Sequence, residues 1–237
     1  MIASTGPEQP LAAVPSARYR SPRTIALIAS RWLWFAVALG VAGFGVDALW
    51  LLSASGPDTA VDELISIAEM MDLVALVQLA SLIVGGVLFL AWFHRAYGNI
   101  RALGVSEPRY RRGWAIGAWF VPVANLVIPK QLANDLWRAG DPELQPRDPG
   151  WQSRPVAALV HWWWVFYLVG SGLSSLAGNL IGDAASIGAM NTAVAIDATA
   201  QALWIAAALT GTRVIGRSTE RQELRAGGLR AAGLLQA

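Results

Sequence analysis

No Lys or Arg occurs between Arg31 and Arg95, and none between Arg154 and Arg213. Each gap far exceeds the roughly 18 apolar residues that a membrane helix requires. Within and around them lie four apolar runs, at about 25–52, 73–93, 155–178 and 189–212. A soluble chain carries about 25% charged residues, whereas this chain of 237 has 14% charged, 55% hydrophobic and a mean hydropathy of +0.44. The expected fold class is therefore all-α and integral to a membrane, with four transmembrane helices. Twelve Trp suit a protein with two membrane–water interfaces to anchor. The absence of Cys excludes disulfides, thiolate metal sites and cysteine nucleophiles. Arg greatly outnumbers Lys and Ala and Gly are abundant, a usage that fits a GC-rich bacterial genome.

The remaining segments read as links and tails. Residues 1–24 are rich in Pro, Ser and Ala without periodicity, which predicts a disordered tail. The run at 25–52 is about twice the length of a signal-peptide core, so it reads as an uncleaved anchor. The link 53–72 holds five acids and no base. Its apolar residues Val61, Leu64, Ile65, Ala68 and Met71 have helical spacing, which predicts an amphipathic helix. The second run is expected to stay helical to about Leu103, with Gly104 as its stop. A short helix over 130–140 and a Pro/Asp-rich loop to Arg154 lead to the third run, which Pro155 is placed to start. Residues 213–237 read as a basic tail, helical at first and frayed past Gly227–Gly228.

Charge sets the expected topology. The bases fall into four segments: four in 1–31, five in 94–113, four in 130–154 and five in 213–237. The links 53–72 and 179–190 have none. The positive-inside rule then places both termini in the cytoplasm of a multi-pass plasma-membrane protein. Parity requires residues 114–129, WAIGAWFVPVANLVIP, to begin and end on that same side. Sixteen residues reach about 24 Å as a helix, short of the ~30 Å hydrocarbon core. Pro122 cannot donate to the carbonyl of Ala118, and Val121 and Ile128 each precede a proline. A Pro-broken re-entrant or interfacial helical element is expected there, covered by the bundle, with Asn125 placed to satisfy backbone freed at the break. A fifth full span is the competing arrangement, and it strands five tail arginines outside.

WFHRAYGNIRALG followed by RYRRGWAIGAWFVPVANLVIPKQLANDLWRAG resembles the actinobacterial domain of unknown function 4328, over roughly residues 73–209. The positions that carry the resemblance are Trp92, Arg95, Ala96, Asn99, Gly113, Trp114, Phe120, Pro122, Asn125, Leu126, Pro129 and Trp137. It implies a membrane architecture and brings no activity with it. Gly113, Trp114, Phe120, Pro122, Asn125, Pro129 and Trp137 mark the broken motif as the part most particular to this family.

Ionisable residues inside spans are functional candidates by default, and two stand out. Asp47 lies near the outer end of the first run and Asp197 in the outer half of the last. Gln78, Asn191, Thr192, Thr199 and Gln201 are placed to share a polar interior with them. GFGVD at 43–47 only approximates the Gly–x–Gly–Asp pattern of intramembrane aspartyl proteases, its acid one place late. Ser171 and His161 are ten residues apart, about 15 Å along a helix, too far for a nucleophile and base. The bases after the second run, Arg95, Arg101, Arg109, Arg111 and Arg112, are candidates for anionic-lipid contact as well as topology. Gly170, Ser174, Gly178 and Gly182 repeat at four-residue spacing, as close helix packing needs. HWWW at 161–164 cannot place all three Trp on one helix face. There is no metal-ligand spacing, cofactor motif or nucleic-acid module. The expected function is that of a non-enzymatic membrane component that assembles with itself or a membrane-protein partner in the lipid bilayer. The alternative is a small proton or cation transporter or channel using Asp47 and Asp197, with an intramembrane hydrolase a distant third.

Overall fold

A computed structural model of the chain describes residues 18–56, 60–105 and 107–235, with helices and loops and no strand among the described residues. In chain order the helices are α1 (Arg23–Ser53), α2 (Val61–Gly98), α3 (Trp114–Gly117), α4 (Ile128–Ala139), α5 (Ala158–Gly182) and α6 (Ile187–Ala231). Four of them, α1, α2, α5 and α6, are long and apolar enough to cross a membrane. In the most apolar stretch of each, no more than 22% of residues are buried within the chain. So much uncovered apolar surface exceeds what a soluble monomer tolerates. The surface is that of a membrane protein.

The long helices form one bundle in which α6 packs against α5 on one side and α1 on the other, while α2 lies on α1. Local chemistry sets the helix ends. Ser186 accepts from the Ala189 amide at 3.2 Å and caps α6. Asp62 and Glu63 sit in the first turn of α2, where the helix dipole favours acids. The amphipathic link and the second run form one continuous helix. Leu64, Ile67, Ala68 and Met71 cover Trp50 and Val194, while Val61 and Ile65 point outward. At its other end α2 stops at Gly98, short of Leu103, and turns lead to Gly104, whose φ of 87° needs a residue without a Cβ.

Two tails differ from the sequence reading. The part of the first tail that falls on 1–17 lies outside the described residues, but 18–22 are tied down. The Asn99 side chain accepts from the Arg20 amide at 3.0 Å and donates to the Arg20 carbonyl at 2.8 Å. Residues 213–231 are not a fraying extension. They continue α6 through Gly227–Gly228 to Ala231, giving a helix of 45 residues or about 67 Å. Ile215, Ser218, Thr219, Gln222, Arg225, Ala226 and Leu229 are buried at helical spacing. Around this stripe gather residues 18–22, the turns after α2, α4 and the loop before α5. The four basic segments thus meet at one end of the bundle.

Residues 114–129 are more finely broken than a hairpin or half-helix. One turn of α3 gives way to turns, a 3-10 turn at Ala124–Leu126 and then α4. Val123 adopts φ 64°, ψ −46°, and the Ala124 amide reaches back to the Pro122 carbonyl at 2.7 Å. That is a γ-turn of the strained hand, centred on a β-branched residue.

Candidate functional site

The first candidate site lies in the middle of the bundle and unites the two acids. Asp47 of α1 is only 3% exposed, and its carboxyl faces that of Asp197 of α6 within hydrogen-bonding reach. The second Asp47 oxygen, Oδ2, is buried without a partner. Gln201, one turn from Asp197, donates to its carboxylate at 3.4 Å. Gln201 and Gln78 of α2 exchange reciprocal amide bonds at 3.1 and 3.2 Å, and Gln78 also donates to the Leu39 carbonyl at 3.1 Å. Gly43 makes this layer possible, because a Cβ there would stand 2.5 Å from Gln78 Nε2.

The other expected members of the interior divide. Asn191 joins α6 to α1 by accepting from Trp50 Nε1 at 3.0 Å. Thr192 and Thr199 turn outward, their hydroxyls bonded to the carbonyls of Gly188 and Ala195 one turn back. With Leu173, Ala195 and Ile196 they border an open cleft between α5 and α6.

The second candidate region is the basic end. Gln222 is fully buried and donates to the Ala96 carbonyl at 2.9 Å while accepting from Asn99 at 3.3 Å. Trp92 Nε1 donates to Thr219 at 3.0 Å. Arg225 donates to the carbonyls of Leu103 and Asp141, both at 2.8 Å, and of Leu144, pinning two loops to α6. Asp141 is shared by Arg154 and Arg221 at 3.1 and 3.4 Å, and Arg221 lies over the Trp137 ring at 4.7 Å. An amide bond from Glu143 and these two guanidiniums outweigh burial and hold the Asp141 carboxyl below its usual range. Asp135 of α4 behaves oppositely. It is fully buried, 3.8 Å from Arg109, with neither oxygen hydrogen-bonded. Burial pushes it up to about 6 despite Arg109 and Arg138.

The broken motif sits beside an aromatic cluster. Trp119 anchors it, packing edge-on against Phe89, Trp164 and Tyr167 at 5.4, 6.0 and 5.7 Å. Trp114 lies on the surface against Tyr110, Pro129 is buried and Gly113 stands in open space. Phe120 and Val123 are 72% and 76% exposed, and Pro122 is exposed with them. Asn125 does not satisfy the break. Its side chain makes no hydrogen bond among the described residues, and the Asn125 amide donates to Val121 at 3.0 Å. The γ-turn and 3-10 turn satisfy the backbone locally, which leaves that side chain free. Of HWWW, Trp163 and Trp164 are buried and Trp162 is exposed. Ser171 donates to the Tyr167 carbonyl at 2.7 Å, a helical back-bond.

Sequence reasoning did not single out Trp119, Asp135, Gln222 or Arg225. The last two were legible in principle, since 215, 218/219, 222, 225/226 and 229 form a helical stripe. The polar residues in it concealed that stripe from an apolar pattern.

A bundle of four membrane-length helices with a Pro-broken segment against its aromatic end is the class of protein that these features define. Residues 58–220 match the family described as Domain of unknown function (DUF4328), and the chain belongs to that family. No curated protein and no solved structure matches it.

Proposed function

We propose that this is a non-enzymatic, multi-pass protein of the plasma membrane that assembles with a second copy or another membrane protein through the α5–α6 face. One observation carries the reading. Gly170 of the four-residue repeat is filled by Leu203 of α6, but a Cβ at Gly172, Gly178 or Gly182 would meet nothing within 4 Å. These small residues, with the outward hydroxyls of Thr192 and Thr199, leave small and partly polar gaps in the otherwise apolar outer surface of α5 and α6. In a bilayer, small and hydroxyl-bearing residues are what close helix–helix contact uses, and lipid tails gain nothing from them. The native chain has no Cys, so single cysteines report contact cleanly. Gly178→Cys and Thr192→Cys should each give disulfide-linked dimers in membranes, or partner adducts, while Leu76→Cys on α2 should not. Failure of both Gly178→Cys and Thr192→Cys to cross-link, with a monomeric wild type in mild detergent, would remove this reading.

The topology belongs to the same proposal. Both termini and residues 94–113 and 130–154 lie in the cytoplasm, and 114–129 enters the membrane surface and returns. The meeting of all four basic segments at one end of the bundle supports this, as do the exposed apolar Phe120, Val123, Leu126 and Val127. A second reading, passage of protons or cations, is favoured by the Asp47–Asp197 contact. It predicts pH-dependent flux into liposomes that Asp47→Asn and Asp197→Asn abolish. Wild-type protein without flux would rule it out.

A further inference from the structure

We infer that the basic end carries a site for a phosphate-bearing anion, built from Arg18, Arg20, Arg95 and Arg112. These four line one cleft of about 260 Å³ together with Gly98 and Asn99. Each is brought there by a separate device. Asn99 clasps the backbone of Arg20 on both sides. Tyr19 is buried and bonded to Glu223 at 3.1 Å, so alternation along the strap turns Arg18 and Arg20 outward together. Arg95 follows the apolar run of α2, one turn before Gly98. Arg112 occupies the space that Gly98 leaves, since a Cβ on Gly98 would stand 2.6 Å from Arg112 Nε.

Charge in the cleft is unbalanced. Among the described residues no carboxylate pairs with any of the four, and the one hydrogen bond that their guanidiniums donate is from Arg112 Nε to the His94 carbonyl at 3.4 Å. Glu223 of α6, which packs against residues 18–22, is committed to Tyr19, Ser21 and Arg23. Three other arginines at this end do face acids, Arg109 at Asp135 and Arg154 and Arg221 at Asp141. Four guanidinium forks without an acid suit oxyanions that accept several charge-assisted hydrogen bonds. The volume is below the roughly 300–1,000 Å³ of clefts that hold drug-sized ligands, so a single phosphate group fits better than a nucleotide. Lying just past the apolar run of α2, the cleft is at the depth of lipid headgroups if that helix spans the bilayer. An anionic phospholipid or a soluble phosphate compound would each meet it.

The test uses full-length protein in neutral detergent and follows Tm against three titrants: inorganic phosphate, phosphatidylglycerol and phosphatidylcholine in mixed micelles. Stabilisation by phosphatidylglycerol alone assigns a lipid headgroup, and stabilisation by inorganic phosphate as well assigns a soluble ligand. Either outcome supports the site. Arg95→Gln/Arg112→Gln should raise the half-saturating concentration about tenfold or more, as should Arg18→Gln/Arg20→Gln, whose exposed side chains can be lost without disturbing the fold. Arg101→Gln/Arg111→Gln removes equal charge outside the cleft and should change it less than about twofold. No preference for phosphate or phosphatidylglycerol over phosphatidylcholine would overturn the proposal. Equal weakening by all three double variants would overturn it too, because general surface charge would then explain the binding.

Discussion

The chain buries polar side chains in two places, and it uses them differently. At the basic end they bond backbone carbonyls where helices stop: Gln222 adds a second donor to the Ala96 carbonyl, and Arg225 covers those of Leu103 and Leu144 and shares that of Asp141. In the middle of the bundle α1, α2 and α6 are unbroken, so their backbone groups are already paired. There Asp47, Asp197, Gln78 and Gln201 bond chiefly to one another. The first set is required by the architecture, because an unpaired buried carbonyl is costly. The second set is not, which makes it the better candidate for a role beyond folding.

Substitution should separate the two sets. Arg225→Ala orphans the Leu103 and Leu144 carbonyls, takes one of two bonds from that of Asp141 and removes the pin between two loops, so it should cost about 3–5 kcal/mol. Loss of Tm in detergent, or failure to accumulate in membranes, would register it. Asp135→Asn tests a buried acid of the basic end whose charge opposes the fold. The folded protein holds the Asp135 proton more tightly than the unfolded chain, about 6 against 3.8. Wild-type stability therefore falls as pH rises through that interval. The variant should be more stable by about 1–3 kcal/mol above pH 6, and the gain should vanish below pH 4. A loss of stability at pH 7.5 would mean that the pairing with Arg109 outweighs burial. Asp47→Asn should have the smallest effect, below about 1 kcal/mol, since an amide can still bond Asp197. A cost as large as that of Arg225→Ala would erase the contrast.

The sequence was informative where one physical rule dominates. Base-free gaps and apolar length located all four long helices, and Pro122 and Pro129 located the break. Periodicity failed where side chains of mixed polarity are buried together. The stripe from Ile215 to Leu229 reads as a charged tail because Gln222 and Arg225 are satisfied by carbonyls that are distant in sequence. Asp47 and Asp197 were legible as unusual residues, but their contact was not, since nothing local encodes the packing of α1 on α6. Asn125 has the chemistry to satisfy the break, but a turn around Val123 does so in the backbone.

The central proposal is that every basic segment lies on one side of the membrane, so that residues 114–129 start and finish there. The native absence of Cys makes it directly measurable. Ser55→Cys, Asp148→Cys and Ala232→Cys can each be exposed in intact cells to a membrane-impermeant maleimide. The proposed topology predicts labelling of Ser55→Cys at once, and of the other two only after the membrane is opened. Labelling of Ala232→Cys in intact cells, with Asp148→Cys protected, would show that 114–129 or a neighbouring segment crosses the membrane and would contradict it.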